Sequence, residues 1–142
     1  MRLPKMISAR VHVLTALSLC VAATVGCQDT IVKYLGPENA PQIFNQTDSM
    51  RFEATDLDNV HDVVLVTWTN TGTEAVVQHR SFVHHGHARI SMLDAVGDTV
   101  YRFVPVEPDL DNETEAGQPG DWTVILEMFG AKGRIDFSVV KQ

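Results

Sequence analysis

From Trp122 onward the side chains alternate with a strictness that few folds accept. Trp122, Val124, Leu126 and Met128 are apolar, with Thr123, Ile125 and Glu127 between them; Ile135, Phe137 and Val139 then alternate with Arg134, Asp136 and Ser138. Successive side chains of an extended chain point to opposite faces, so this pattern fits strands with one buried face and conflicts with a 3.6-residue helical period. Phe129-Gly130-Ala131-Lys132-Gly133 lies between the two arms, and the whole predicts a β-hairpin. Similar texture begins at Met50, where Met50, Phe52 and Ala54 alternate with Arg51 and Glu53. Residues 62–69 (DVVLVTWT) are almost continuously apolar, as expected for a strand covered on both faces or central in a sandwich. After an Asn70-Thr71-Gly72-Thr73 turn come strand-like runs at residues 73–80, 87–94 and 99–104, and then an acidic loop at 107–120. No window past residue 27 holds a capped helical period. About seven strands at roughly 8–12-residue spacing predict an all-β sandwich or barrel. Residues 50–142 suffice for one such domain with its own core.

The start of the chain has a different composition. Arg2, Lys5 and Arg10 precede residues 11–26, which hold no Asp, Glu, Lys or Arg and one histidine, His12, and Ala23-Thr24-Val25-Gly26-Cys27 closes the run. The apolar stretch is shorter than the ~20 residues a helix needs to cross a bilayer, and its three parts match a secretory signal. An ordinary secretory signal with an incidental Cys27, or a short membrane helix, would share much of this pattern. The closing residues, however, resemble the lipobox of bacterial lipoproteins. That resemblance implies cleavage before Cys27, acylation of Cys27 (palmitate among the chains) and a lipid anchor in the cell envelope. Gln28, standing where enterobacterial inner-membrane lipoproteins carry Asp, favours the outer membrane over the inner. The chain then divides into a signal peptide (1–26), a lipidated cysteine with a tether (27–49) and a β-sandwich domain (50–142). The tether assignment rests on Gly36-Pro37, Ala40-Pro41 and Asn45-Gln46-Thr47-Asp48-Ser49. About 20 flexible residues reach an r.m.s. distance of roughly 25 Å. Ile31-Val32-Lys33-Tyr34-Leu35 is an apolar island inside it, either an added edge strand or a segment near the membrane surface.

Cleavage would also remove Cys20, leaving Cys27 alone and no disulfide within the chain. It would take three of the 11 basic side chains and none of the 18 acidic ones, so net charge moves from −7 to −10. So acidic a surface repels nucleic acid, which is excluded as a partner.

Val64-Leu65-Val66-Thr67-Trp68-Thr69-Asn70-Thr71-Gly72-Thr73-Glu74-Ala75 resembles the strand–turn–strand of bacterial extracytoplasmic immunoglobulin-like domains. Pro119-Gly120-Asp121-Trp122-Thr123-Val124 is similar to the start of their penultimate strand. The resemblance implies a single immunoglobulin-like antiparallel β-sandwich. No Cys…Trp…Cys pattern is present, which excludes antibody-type relatives.

Candidate chemistry centres on histidine. His79, His84, His85 and His87 fall within nine residues, and His85 and His87 share a face if the segment is extended. Two imidazoles about 6–7 Å apart can share Cu²⁺ or Zn²⁺, with His79 as a further ligand. Against a metal stands the plain reading of a polar strand tip turned at Gly86. Asp109, Asp111, Glu113 and Glu115 place oxygen ligands at every other residue, but Thr114 and Gly120 occupy positions where an EF-hand needs Gly and Glu. A weak calcium site or a solvated loop remain. Ser81, Ser91 and Ser138 lack a nucleophile motif, and no phosphate loop occurs, so no catalytic residues are assigned and the chain reads as a non-enzyme. Trp68 and Trp122 read as core; Tyr101 and Phe103 could form a sugar-stacking face or join that core. The resulting expectation is a noncatalytic envelope lipoprotein, structural or protein-interacting. The alternatives are a periplasmic or surface copper/zinc-binding protein and a small carbohydrate-binding module.

Overall fold

The computed structural model describes residues 31–105 and 110–142; the signal-like segment, Cys20, Cys27 and Asp109 lie outside them. A 3₁₀ turn at Pro37–Asn39 precedes seven strands, β1 (Gln42–Gln46), β2 (Ser49–Asn70), β3 (Ala75–His79), β4 (Phe82–Leu93), β5 (Thr99–Phe103), β6 (Leu110–Glu113) and β7 (Gly120–Lys141). The fold is all-β, one antiparallel seven-stranded sheet with a sandwich-like arrangement. Among the described residues no helix is long and apolar enough to cross a membrane.

Three long strands organise the sheet. β2 and β7 each run 22 residues and pair from Ser49↔Val140 to Asn70↔Gly120. The other edge of β7 takes β3 on residues 137–141 and β4 on residues 123–134. Only Arg80 and Ser81 separate β3 from β4, so these two act as the third long strand. β1 covers the start of β2, β6 pairs with β3, and β5 pairs with the end of β4.

All three long strands break register at the same level. The shifts lie between Ala54 and Asp62 on β2, and between Val83 and His87 where β4 meets β7. Asp56, Asn59, Gly86, Gly130 and Gly133 there have positive φ, which twists and bends a strand without reversing it. The bends bring the two halves of the sheet face to face. His79 of one half stacks on Phe103 of the other with ring centroids 4.2 Å apart, and Glu115 N–H donates to the Val100 carbonyl at 2.8 Å.

Alternate residues fill the space between the halves. Met50, Phe52, Trp68, Trp122, Val124, Leu126, Ile135, Phe137 and Val139 are all buried, as the period-two reading expects. Phe52 and Phe137 are register partners and stack at 5.9 Å; Trp68 and Trp122 are partners too and meet edge to face at 5.8 Å.

Three expectations need correction, and of the two placements open to the apolar island the sheet edge is the one observed. The predicted hairpin at 122–139 is a single bent strand, because Gly130 and Gly133 make bulges and both arms pair with β2 rather than with each other. The tether does not extend to residue 49. Asn39 is buried, donating from Nδ2 to the Thr55 and Asp56 carbonyls at 3.3 and 3.1 Å, and residues 42–46 form β1. Lys33 forms a parallel bridge with Val60, so the apolar island lies along the sheet edge. Within the expected acidic loop, residues 110–113 form β6.

A Cβ on Gly86 would collide with the carbonyl of Gly130, whereas one on Gly97 (φ 94°) would meet nothing within 4 Å. Gly86→Ala is expected to lose more than about 2 kcal/mol in urea unfolding, and Gly97→Ala about 1 kcal/mol from backbone strain alone. Equal losses would contradict the close approach at the bend.

Candidate functional site: an open strand edge

The bend in β2 leaves its second half uncovered. β1 ends its pairing at Glu53. From residue 62 to 68, β2 has β7 on one side and, among the described residues, no strand on the other. The side chains there alternate. Val64 and Val66 are half-buried and Trp68 is buried, while Val63 and Leu65 are 53% and 65% exposed. Of the two readings of this run, coverage on both faces does not hold: one face packs inward and the other carries apolar groups into solvent. Ile43 and Phe44 on neighbouring β1 are exposed as well.

Backbone groups along this edge can be assigned one by one. The Thr67 carbonyl accepts from Asn45 Nδ2 at 2.7 Å and the Thr69 carbonyl from Asp48 N–H at 2.9 Å, both on the side away from β7. In an antiparallel pair each residue turns both backbone groups the same way, so residues 63, 65 and 67 also face outward. The Asp62 carboxylate takes the Val63 N–H at 2.8 Å. The Val63 carbonyl, both groups of Leu65 and the Thr67 N–H are left without a partner among the described residues.

Charge is confined to the two ends. Residues 61–70 hold one charged side chain, Asp62, and no Lys, Arg, Pro or Gly, the residues that usually guard an edge against pairing. At one end Lys132 and Lys33 both contact Asp58, at 2.8 and 2.5 Å, and hold its carboxyl down at about 2. At the other, the Thr71 N–H foremost and then Lys141 lower the Asp48 carboxyl. The arrangement is an uncharged, partly apolar strip between paired charges, the core-and-rim pattern of a protein interface.

The histidines are not assembled in this way. His79 is fully buried, with Nε2 2.6 Å from the Tyr101 hydroxyl, which also accepts from Asn112 Nδ2 at 3.3 Å. It cannot join the other three as a ligand. His84, His85 and His87 are exposed on β4, but register shifts on both sides of His85 and a bulge at Gly86 break the simple alternation expected between them. Among the described residues no three His, Cys, Asp or Glu side chains come together as a metal site. Tyr101 and Phe103 both have ring contacts with His79, so they join the core instead of forming a sugar-stacking row.

Grooves among the described residues lie elsewhere, two of them as follows. One of about 510 Å³ runs between β5 and β6, lined by Tyr101, Phe103, Asn112 and Glu113 among others. The second, about 630 Å³, lies beside the bend against Phe82, His84, Gly133 and Arg134. Sequence reading missed the open edge, whose one local sign is an apolar run free of guarding residues.

No protein-family model matches the chain, and no curated protein matches it. Among the solved structures that resemble it in part are the following two. One, described as accessory secretory protein 1, 2 and 3 in Streptococcus pneumoniae, is 13% identical with a TM-score of 0.36, over 77% of this chain and 94% of that one. The other, procruciferin, an 11S globulin from Brassica napus, is 15% identical with a TM-score of 0.33, over 77% of this chain and 27% of that one. Likeness at this level carries nothing about function.

Burial pushes the His79 imidazole down to about 4; the nearby Asp111 carboxylate opposes the shift and the Arg80 guanidinium adds to it. The unfolded chain, with an ordinary histidine pKa near 6.5, then binds more protons than the folded chain between about pH 4 and 6.5. Stability is complete above that window and falls as pH drops through it, by up to roughly 3 kcal/mol. Urea unfolding across the window should show this slope, and His79→Gln should flatten it. A wild-type slope unchanged in the variant would place the titration elsewhere.

Proposed function

We propose that the chain is a membrane-anchored, noncatalytic lipoprotein of the bacterial cell envelope, acting as a structural or protein-interaction module. The observation that carries this reading is the open edge at residues 63–67, with exposed Val63 and Leu65 and unpartnered backbone groups. Such an edge recruits an extended strand from a partner, the backbone giving affinity and the side-chain row giving selectivity. Its uncharged strip suits a protein surface, and the acidic balance of the chain disfavours anionic polymers. The immunoglobulin-like resemblance of residues 64–75 accords with an extracytoplasmic binding domain.

Anchoring rests on the lipobox-like residues ending at Cys27. Two or more acyl chains hold a protein stably at a bilayer without an apolar protein surface. With Lys33 already on the sheet, few residues separate Cys27 from the domain, which sits close to the lipid, on the outer membrane in this reading. The reading as a non-enzyme is supported by the placement of His79, which is walled in by Tyr101 and Phe103 away from solvent.

Metabolic labelling with palmitate tests the anchor. The wild-type chain should take up label and fractionate with membranes; Cys27→Ser should do neither, or should accumulate as an unprocessed precursor. Label that survives the substitution would refute the anchor at Cys27.

A further inference from the structure

The segment that leads into the sheet is fixed by its backbone and carries apolar side chains outward. Asn59 Nδ2 donates to the Ile31 carbonyl at 2.8 Å, and Leu35 N–H donates to the Asp62 carboxylate at 3.0 Å. Between them Lys33 N–H reaches the Asn59 carbonyl at 3.3 Å, and the Lys33 carbonyl accepts from His61 N–H at 2.7 Å. Leu35 packs against the core, whereas Ile31, Val32 and Tyr34 are 61%, 50% and 70% exposed. Apolar side chains scattered singly over a surface need no explanation. Three of them within four consecutive residues, on a segment bonded in place, make a patch that calls for a partner.

The position of the patch points to lipid. Ile31 stands four residues after Cys27, which is at most about 14 Å of extended chain. A headgroup layer is roughly 5–8 Å deep on each side of the hydrocarbon. Whatever path the intervening residues take, an acylated Cys27 keeps Ile31 within short reach of a bilayer, and a protein partner would have to enter that narrow gap. The side chains suit the same occupant. Ile31 and Val32 are aliphatic, and tyrosine, with an apolar ring and a polar tip, favours the membrane–water boundary. Charge does not oppose it. Asp58 is held by Lys33 and Lys132 at 2.5 and 2.8 Å, and the Asp62 carboxylate accepts from the N–H groups of Leu35 and Val63. The acids beside the patch are therefore engaged within the chain, although its overall balance is acidic.

We infer that Ile31, Val32 and Tyr34 form a lipid-docking surface that lays the domain against the bilayer beside its anchor. This rests on the anchor reading above and deepens it: acyl chains hold the protein at the membrane, and the patch sets which side of the domain meets it. Because the segment is bonded to β2, seating its side chains in the headgroup layer orients the whole sheet.

The test uses the full chain, purified from bacterial cells and reconstituted in phosphatidylcholine vesicles that carry a nitroxide near the top of the acyl chain. The fluorophore NBD is attached at Tyr34→Cys and, as control, at Val96→Cys, an exposed position in the turn between β4 and β5. An acylated Cys27 has no free thiol, so the label goes to the introduced cysteine. Quenching should remove about half or more of the fluorescence at position 34, since docked apolar side chains lie roughly 5–10 Å into the headgroup and acyl boundary. Position 96 should stay nearly unchanged. Ile31→Ser combined with Val32→Ser should abolish the quenching at position 34, while the chain still floats with the vesicles and keeps its melting temperature. Equal loss at both positions, or none at position 34 in a chain that floats, would overturn the docking surface and leave the anchor standing. A chain that does not float with the vesicles would overturn both.

Discussion

The coincident bend of β2, β7 and the β3–β4 strand is the constraint on which the rest of the structure depends. Three paired strands cannot fold over unless all of them yield at one level, since a straight strand would tear its hydrogen bonds from a bent neighbour. Gly86 approaches the Gly130 carbonyl and Gly133 the Phe82 carbonyl so closely that no side chain fits at either position. Asp56 and Asn59 take the corresponding left-handed backbone on β2, where no glycine is available. Once the ribbon is folded, its inner faces bury the Phe52–Phe137 and Trp68–Trp122 pairs, and His79 of one half meets Tyr101 and Phe103 of the other.

Folding the ribbon also creates the exposed edge. β1 is a five-residue strand and follows β2 only to Glu53, before the bend. Beyond it the Lys33 segment touches β2 near Val60, and Asn45 reaches across to Thr67. Between these two attachments Leu65 has no strand beside it on that side among the described residues. Asp62 fills the Val63 N–H from within the chain and so trims the edge to the groups a short partner can use.

Much of the core was legible because burial and alternation report the same thing. Trp122, Val124, Leu126, Ile135, Phe137 and Val139 could be assigned to one side from spacing alone, and all are buried. Connectivity was harder to read. Gly130 and Gly133 mark a change of direction, but positive φ serves a hairpin turn and a bulge equally, and only the distant partner β2 decides between them. His79 reads from spacing as a further metal ligand beside His84, because nothing nearby in sequence announces Tyr101 or Phe103 as its companions. The run 62–69 looked doubly covered since Val63 and Leu65 are as apolar as Val64 and Val66. Whether a second layer covers an apolar face depends on where the chain goes next, and local pattern carries no record of that.

Amide exchange, residue by residue, addresses the open edge most directly. Val64, Val66 and Trp68 direct their N–H groups to β7 and should exchange slowly, while the Leu65 and Thr67 amides between them should exchange near the rate of an unprotected chain. Uniform protection from residue 64 to 68 would mean that the edge is already occupied within the chain and is not open to a second strand.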